Sequence, residues 1–438
     1  WQFSVNEDIE LAGDRREIKL DGGFQPGKIY ELVYHAKDPA VVGLALAAVR
    51  DFAAFAKYGE PNPFPVRHAI AFGVSQSGRF LRHFLYEGFN CAETRATAEA
   101  PVFDGMFIHA AGAGRGSFNH RFAQPSRDAH RYSAFFYPTD LFPFSSRAQC
   151  DKLTGRCDGL LERQIEQCRP KIMQTNTGYE YWGRAASLSH SSWDGRSDVL
   201  PHDSERLYHI AGAQHFVGDY PPRESMGTAF RGNPLDFSVN LRALMVRLVD
   251  WVALGREPPA SRIPRLSDGT LVPIESYRFP AIANVPPAEV AHAAYRADYG
   301  PRWDNGIIDF QPPKLGPAFP SLVPQVNVLG NEIAGIQNVE LAAPLATYVP
   351  WNLRGPGYAN PGELTDFLGT YVPLARTEAD RVGDARSSIA VLYPDRESYL
   401  ARASDAADRL LQEGFLLKQD RERVLKRASG EWDRIMRR

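Results

Sequence analysis

Short apolar runs alternate along the first half of the chain with segments whose apolar positions recur at helical spacing. Residues 29–35 read as a strand, and Asp38 with Pro39 supply an N-cap and a first-turn proline. Apolar residues at 42, 45, 46, 49, 52, 53 and 56 then mark one face of a helix that ends near Lys57. A connection containing Pro61, Pro63 and Pro65 leads to a strand over 68–73. The next helix carries Phe80, Leu81, Phe84 and Leu85 on its inner face and stops at Gly88. Further strands are predicted over 105–111, 171–175 and 206–211, followed by an amphipathic helix over 237–254. Strands that alternate with helices predict an α/β fold, a mostly parallel sheet with helices on both faces.

The pattern changes twice. Residues 115–169 form a long aromatic and polar excursion with Phe118, Phe122, Tyr132, Phe135, Phe136, Tyr137, Phe142 and Phe144, expected to act as a lid or as cover for the sheet. After residue 257 a proline-rich, irregular stretch runs to Pro320, short strands follow over 322–350 with a turn at Leu329-Gly330-Asn331, and a charged helical pattern begins near Thr377. The expected organisation is therefore an α/β core over 1–257, with 115–169 inserted, and a C-terminal extension over 258–438 that packs on it.

Composition changes this picture little. A chain of 438 residues with 44% hydrophobic and 23% charged residues has the balance of a globular protein with a large core. A net charge of −2 gives no reason to expect nucleic acid or an anionic membrane as partner. No apolar run is long enough to span a bilayer. The chain begins Trp1-Gln2-Phe3 without an initiator Met or a signal peptide, so a processed or trimmed product is expected, exported in preference to cytoplasmic. Of the four cysteines, Cys150 and Cys157 flank a short loop that a disulfide could staple; free thiols are the alternative.

The densest chemical signal is Gly73-Val74-Ser75-Gln76-Ser77-Gly78, where an apolar run ends and a helical pattern starts at once. This is the strand–turn–helix setting of a nucleophile elbow, in which a serine is exposed on a strained turn. Gly73 permits close approach of strand and helix, while Ser77 stands where G-x-S-x-G has its last glycine. A serine hydroxyl is too weak an acid to attack a carbonyl unaided; it needs a base, and the base needs an orienting carboxylate. Among eleven histidines, His215 lies just past a strand after Gly212, where a loop can carry an imidazole over the sheet edge. His209 inside that strand should point into packing, and His190, His120 and His130 compete as the base. Glu180, after the preceding strand and flanked by Tyr179, Tyr181 and Trp182, is the favoured acid, with Asp140 and Asp194 as alternatives. The amide of Gln76 is the expected first oxyanion donor. The second would come from the stretch His35-Ala36-Lys37-Asp38, at Ala36. Arg115, Asn119 and Arg121, with Tyr179 and Trp182, are candidate substrate contacts. No phosphate loop, zinc spacing or calcium loop is present, so no cofactor or metal is expected.

With these residues laid out, the chain resembles the α/β-hydrolase superfamily, and more closely the bacterial family described as alpha/beta hydrolase domain-containing proteins. The likeness rests on Tyr30-Glu-Leu-Val-Tyr34, Lys37-Asp-Pro39, Ala48-Val-Arg-Asp51, Gly73-Val-Ser-Gln-Ser-Gly-Arg79 and Phe103-Asp-Gly105. It continues through residues 112–122, Glu180-Tyr-Trp182, Ala211-Gly-Ala-Gln-His215 and Gly330-Asn-Glu-Ile-Ala-Gly335. The resemblance implies serine-dependent hydrolysis of a small-molecule carboxylic ester and supports Ser75, Glu180 and His215 in the three roles. An acyltransferase or lactonase on the same residues, or a binding scaffold without turnover, are the other readings. Measured against a full superfamily sheet, too little chain precedes residue 29 for the early strands, so N-terminal sequence is expected to be missing.

Overall fold

Residues 2–4, 17–20, 22–25, 43–61, 66–93, 99–116, 118, 140–310, 312–358 and 360–437 are described by the computed structural model. They fall into two units, Trp1–Ala40 and Val41–Arg438. In the first, Gln2–Ser4 pairs antiparallel with Glu17–Lys19. The strand expected at 29–35 lies outside the described residues.

In the second unit the alternation along the sequence becomes α1 (Ala45–Tyr58), β1 (Ile70–Val74), α2 (Gln76–Tyr86), β2 (Gly105–His109), β3 (Lys171–Thr177), α3 (Gly178–Gly183), β4 (Glu205–Ile210) and α4 (Ser238–Leu254). The four strands form one parallel sheet in the order β4-β3-β2-β1. Successive strands are neighbours, so all their carboxyl ends gather along one edge: Val74 lies beside His109, His109 beside Thr175, and Thr177 beside Ile210. The loops after β1, β3 and β4 leave from that edge.

Period-two alternation divides the sheet between two cores. Phe107, Met173 and Tyr208 pack with Leu244, Leu248 and Trp251 of α4. Ala71, Met106, Ile108 and Ile172 pack with Leu46 and Ala53 of α1 and Leu81, Phe84 and Leu85 of α2. A strand buried on both faces needs apolar residues at consecutive positions, which is why β2 reads Met106-Phe107-Ile108 without a polar break. The helix predicted from residue 42 begins at Ala45.

The later chain closes the sheet's flank. Backbone bonds join His209 to Arg262 and to Ile336 beside β4, and these partners cover what would otherwise be an open strand edge. Two helices, α5 (Arg396–Gln412) and α6 (Arg421–Met436), deliver Tyr399, Ala407, Leu410, Trp432 and Ile435 into the core under α4. The stretch expected to be irregular contains paired strands, Leu271–Pro273 with Leu322–Pro324 and Tyr295–Asp298 with Lys314–Ala318. Proline is tolerated there because ladders of two strands have outward-facing backbone positions that need no donor. All four cysteines are paired, Cys91 with Cys168 and Cys150 with Cys157. The first pairing has no local signal, since its partners are 77 residues apart. Within the excursion, Phe142 and Phe144 pack on Phe319 as core cover.

Candidate active site

The turn after β1 is built by crowding. A Cβ at Gly73 would lie 2.5 Å from the carbonyl oxygen of Ser77, and one at Gly78 would lie 3.0 Å from that of His109. Between them Ser75 takes φ 56° and ψ −116°, a backbone state that costs a residue with a side chain of order 1–3 kcal/mol. Two sets of bonds hold it. The Ser75 N–H donates to the His109 carbonyl at 2.8 Å. The Ser77 hydroxyl accepts from the Val74 N–H and donates to the Val74 carbonyl, both at 2.8 Å. Ser77 therefore closes the turn with its side chain where the common pattern has glycine. α2 starts at Gln76, whose N–H has no acceptor within the helix and lies next to the serine.

Beyond β3, Thr177 and Glu180 form a capping box around the start of α3: the N–H and hydroxyl of Thr177 donate to Glu180 Oε2 at 2.9 and 2.5 Å. This leaves Oε1 for His215, whose Nδ1 lies 2.5 Å away. The opposite ring nitrogen, Nε2, is 2.9 Å from Ser75 Oγ. The loop bearing His215 is clamped by the late chain, with the Gln214 carboxamide accepting from the Gly369 N–H at 2.8 Å and the His215 N–H donating to the Phe367 carbonyl at 3.2 Å. Glu180 and His215 are 0% and 3% exposed. Burial opposes ionisation of Glu180, but the charge and hydrogen bond of His215, the Thr177 hydroxyl and nearby His109 outweigh it and hold the carboxyl below its ordinary range. His109 itself, bonded through Nδ1 to the Thr175 hydroxyl at 2.8 Å, is pushed down to about 4 by burial, against the attraction of Glu180. The arrangement is a continuous line, carboxylate to imidazole to hydroxyl, through which a proton can move off the serine.

Ser75, His215 and Glu180 thus meet, and the competitors among the described residues stand elsewhere. His209 bonds to Glu332, and His190 bonds through Nε2 to the Tyr181 hydroxyl at 2.8 Å. Asp140 is buried against His292 at 2.8 Å, and Asp194 accepts from the Ser192 hydroxyl. Tyr179 packs edge-on against the His215 ring, with centroids 5.7 Å apart. Trp182 is completely buried against Trp351 and Tyr277. Arg115 is buried too: its guanidinium lies over the Tyr86 ring and donates to the carbonyls of Leu141 and Phe142. Ala36, Asn119, Arg121, His120 and His130 lie outside the described residues. Among the described residues no group of three or more His, Cys, Asp or Glu side chains could hold a metal ion, and no helix is long and apolar enough to cross a membrane.

Two contributors carry little sequence signal. Glu332 accepts from the Gly212 N–H at 2.6 Å and from His209 Nε2 at 2.9 Å, and a Cβ on Gly178 would come within 2.7 Å of its Oε1. It therefore lies against the first residue of α3 and bonds to Gly212, near the start of the His215 loop. Phe367 places its ring 4.7 Å from the His215 ring. Only the Gly330-Asn-Glu segment hinted at the first, as a family motif without a role; nothing local marked the second.

Compared with known proteins, the chain has no match among curated sequences or solved structures. A family model described as alpha/beta hydrolase domain, however, matches residues 14–426, a span that contains the turn after β1, the capped helix after β3 and the loop after β4. The chain belongs to the alpha/beta hydrolase domain family.

Proposed function

We propose that this protein is a serine hydrolase that cleaves carboxylic esters through an acyl-enzyme. Ser75 Oγ attacks the ester carbonyl as His215 Nε2 takes its proton, and the tetrahedral oxyanion accepts the Gln76 N–H. Collapse breaks the carbon–oxygen bond to the alcohol, and His215 returns the proton to the departing oxygen. Water then attacks the acyl-enzyme, loses its proton to His215, and the acid leaves as Ser75 recovers its own. Glu180 selects the tautomer with Nδ1–H and stabilises the imidazolium formed in each half-reaction.

The observation that carries this reading is the hydrogen-bonded line Glu180–His215–Ser75 ending on a serine with φ 56°. A strained serine aligned to a buried imidazole–carboxylate pair is what activated nucleophilic attack requires, and it is hard to account for as packing. The test is labelling of the folded protein with a fluorophosphonate, mass-mapping of the modified residue, and turnover of p-nitrophenyl esters. Modification at Ser75 and loss of turnover in Ser75→Ala are expected. Full activity in Ser75→Ala would end the proposal. Competing alcohols added to the assay separate hydrolysis from acyl transfer.

A further inference from the structure

Two phenylalanines flank the imidazole. The ring of Phe216 stands edge-on to His215 with centroids 4.6 Å apart, that of Phe367 lies tilted at 4.7 Å, and the two are 5.6 Å from one another. Phe216 is 52% exposed and its neighbour Val217 44%, so apolar surface is left in water at the mouth of the site. Phe367 has φ 69°, a left-handed backbone that glycine enters freely and a bulky residue does not. The backbone duty at 367, a carbonyl for the His215 N–H, could be met by glycine, so it does not require the ring.

Building on the ester-hydrolase reading, we infer that Phe216 and Phe367 bind the alcohol portion of the substrate and select esters of apolar, ring-bearing alcohols. The reason lies in the proton's route. His215 Nε2 must reach the oxygen of the departing alcohol within hydrogen-bond distance when the tetrahedral intermediate collapses. Whatever is attached to that oxygen therefore lies against the imidazole, where both rings stand. The acyl part is held at Ser75 and the oxyanion donors, on the other side of the scissile bond. An aromatic alcohol would cover the exposed face of Phe216 and gain offset or edge contact with both rings. A methyl alcohol would leave that face wet.

The test compares two ratios of kcat/KM, benzyl acetate over methyl acetate for the alcohol side and methyl phenylacetate over methyl acetate for the acyl side. In the native protein the first ratio is expected to exceed the second. Phe216→Ala and Phe367→Gly should each lower the alcohol-side ratio about tenfold or more, the scale of apolar discrimination in a pocket. The acyl-side ratio should change by no more than about twofold. Phe367→Gly removes the ring while easing the backbone, and Phe367→Leu keeps bulk without aromaticity, so a folded variant is available at that position. An unchanged alcohol-side ratio in variants that still label with fluorophosphonate overturns the inference and leaves the hydrolase reading intact. A shift of the acyl-side ratio instead overturns it as well. Absence of labelling at Ser75 in the native protein overturns the hydrolase reading, and this inference falls with it.

Discussion

Two buried histidine–carboxylate pairs stand close together at the end of β4, and they differ in one respect. His209 meets Glu332 at 2.9 Å and His215 meets Glu180 at 2.5 Å. Around His209 the site is shut: the ring of Tyr181 packs edge-on at 4.9 Å, Gly335 lies so close that a Cβ there would strike the imidazole, and Nδ1 has no hydrogen-bond partner among the described residues. Around His215 the second nitrogen faces Ser75 Oγ. The pair alone is therefore a structural tie. On the proposed function, it becomes a proton relay only where the far nitrogen opens onto a serine hydroxyl at the sheet edge. The sealed pair still supports the open one, because Glu332 lies against Gly178 and Gly212, at the start of the helix that bears Glu180 and of the loop that bears His215.

The comparison is broken most decisively by kinetics. Ser75→Ala is expected to lower kcat on a p-nitrophenyl ester by about 10⁴-fold or more, with no loss of melting temperature. His209→Gln, on the sealed pair, should give the opposite profile, a lower melting temperature with turnover retained in the folded fraction. Equal catalytic losses in the two variants would erase the distinction drawn here.

Next in size is the sealed pair itself. Glu332→Ala strands a buried imidazole and removes the tie to Gly212, which should cost about 3–5 kcal/mol in urea unfolding. Replacing both members, His209→Leu with Glu332→Leu, should recover the part due to the stranded imidazole, because two apolar groups need no partner, but not the part due to the Gly212 N–H, which loses its acceptor in both variants. If the double variant were no more stable than the single one, the pair would not be the tie described.

The pH response separates the surroundings of the two pairs. His109, beside the open pair, is pushed to about 4 by burial; His190, joined to the sealed pair through Tyr181, is pushed to about 3 by burial and by His209. Below the ordinary histidine value the unfolded chain takes up protons that the folded chain refuses. Stability is thus complete above about pH 6.5 and falls as the pH drops towards 4, by about 2 kcal/mol per histidine at pH 5. Urea midpoints at pH 8 and pH 5 measure this, and His109→Gln should flatten its share of the slope. A midpoint independent of pH over this range would contradict both burial assignments.

The smallest effect tests the turn under the open pair. Ser77→Gly restores the common glycine but deletes both hydroxyl bonds to Val74, and should cost about 1–2 kcal/mol. A gain in stability would mean that the hydroxyl does not hold the turn.

Much of this molecule is legible in neighbouring residues. The run Met106-Phe107-Ile108 states that β2 is covered on both faces, and the small residues around Ser75 state that the chain must turn sharply there. The positions of Glu180 and His215, each just past a strand, follow from the same local reading, because a parallel strand delivers its next loop to a common edge. What that reading could not supply is choice among equals. His209, inside its strand, and His215, just past it, differ already in the sequence, but His190 remains an open rival there, and only its bond to Tyr181 and the opening of His215 towards Ser75 tell those two apart. Cys91 with Cys168, Glu332 beneath both loops and Phe367 against the imidazole are likewise products of the assembled fold. Hydrophobic period is written between adjacent residues and can be read from them. Contact across long stretches of chain depends on sheet register and on how the later segments pack, and that exists only once the chain has folded.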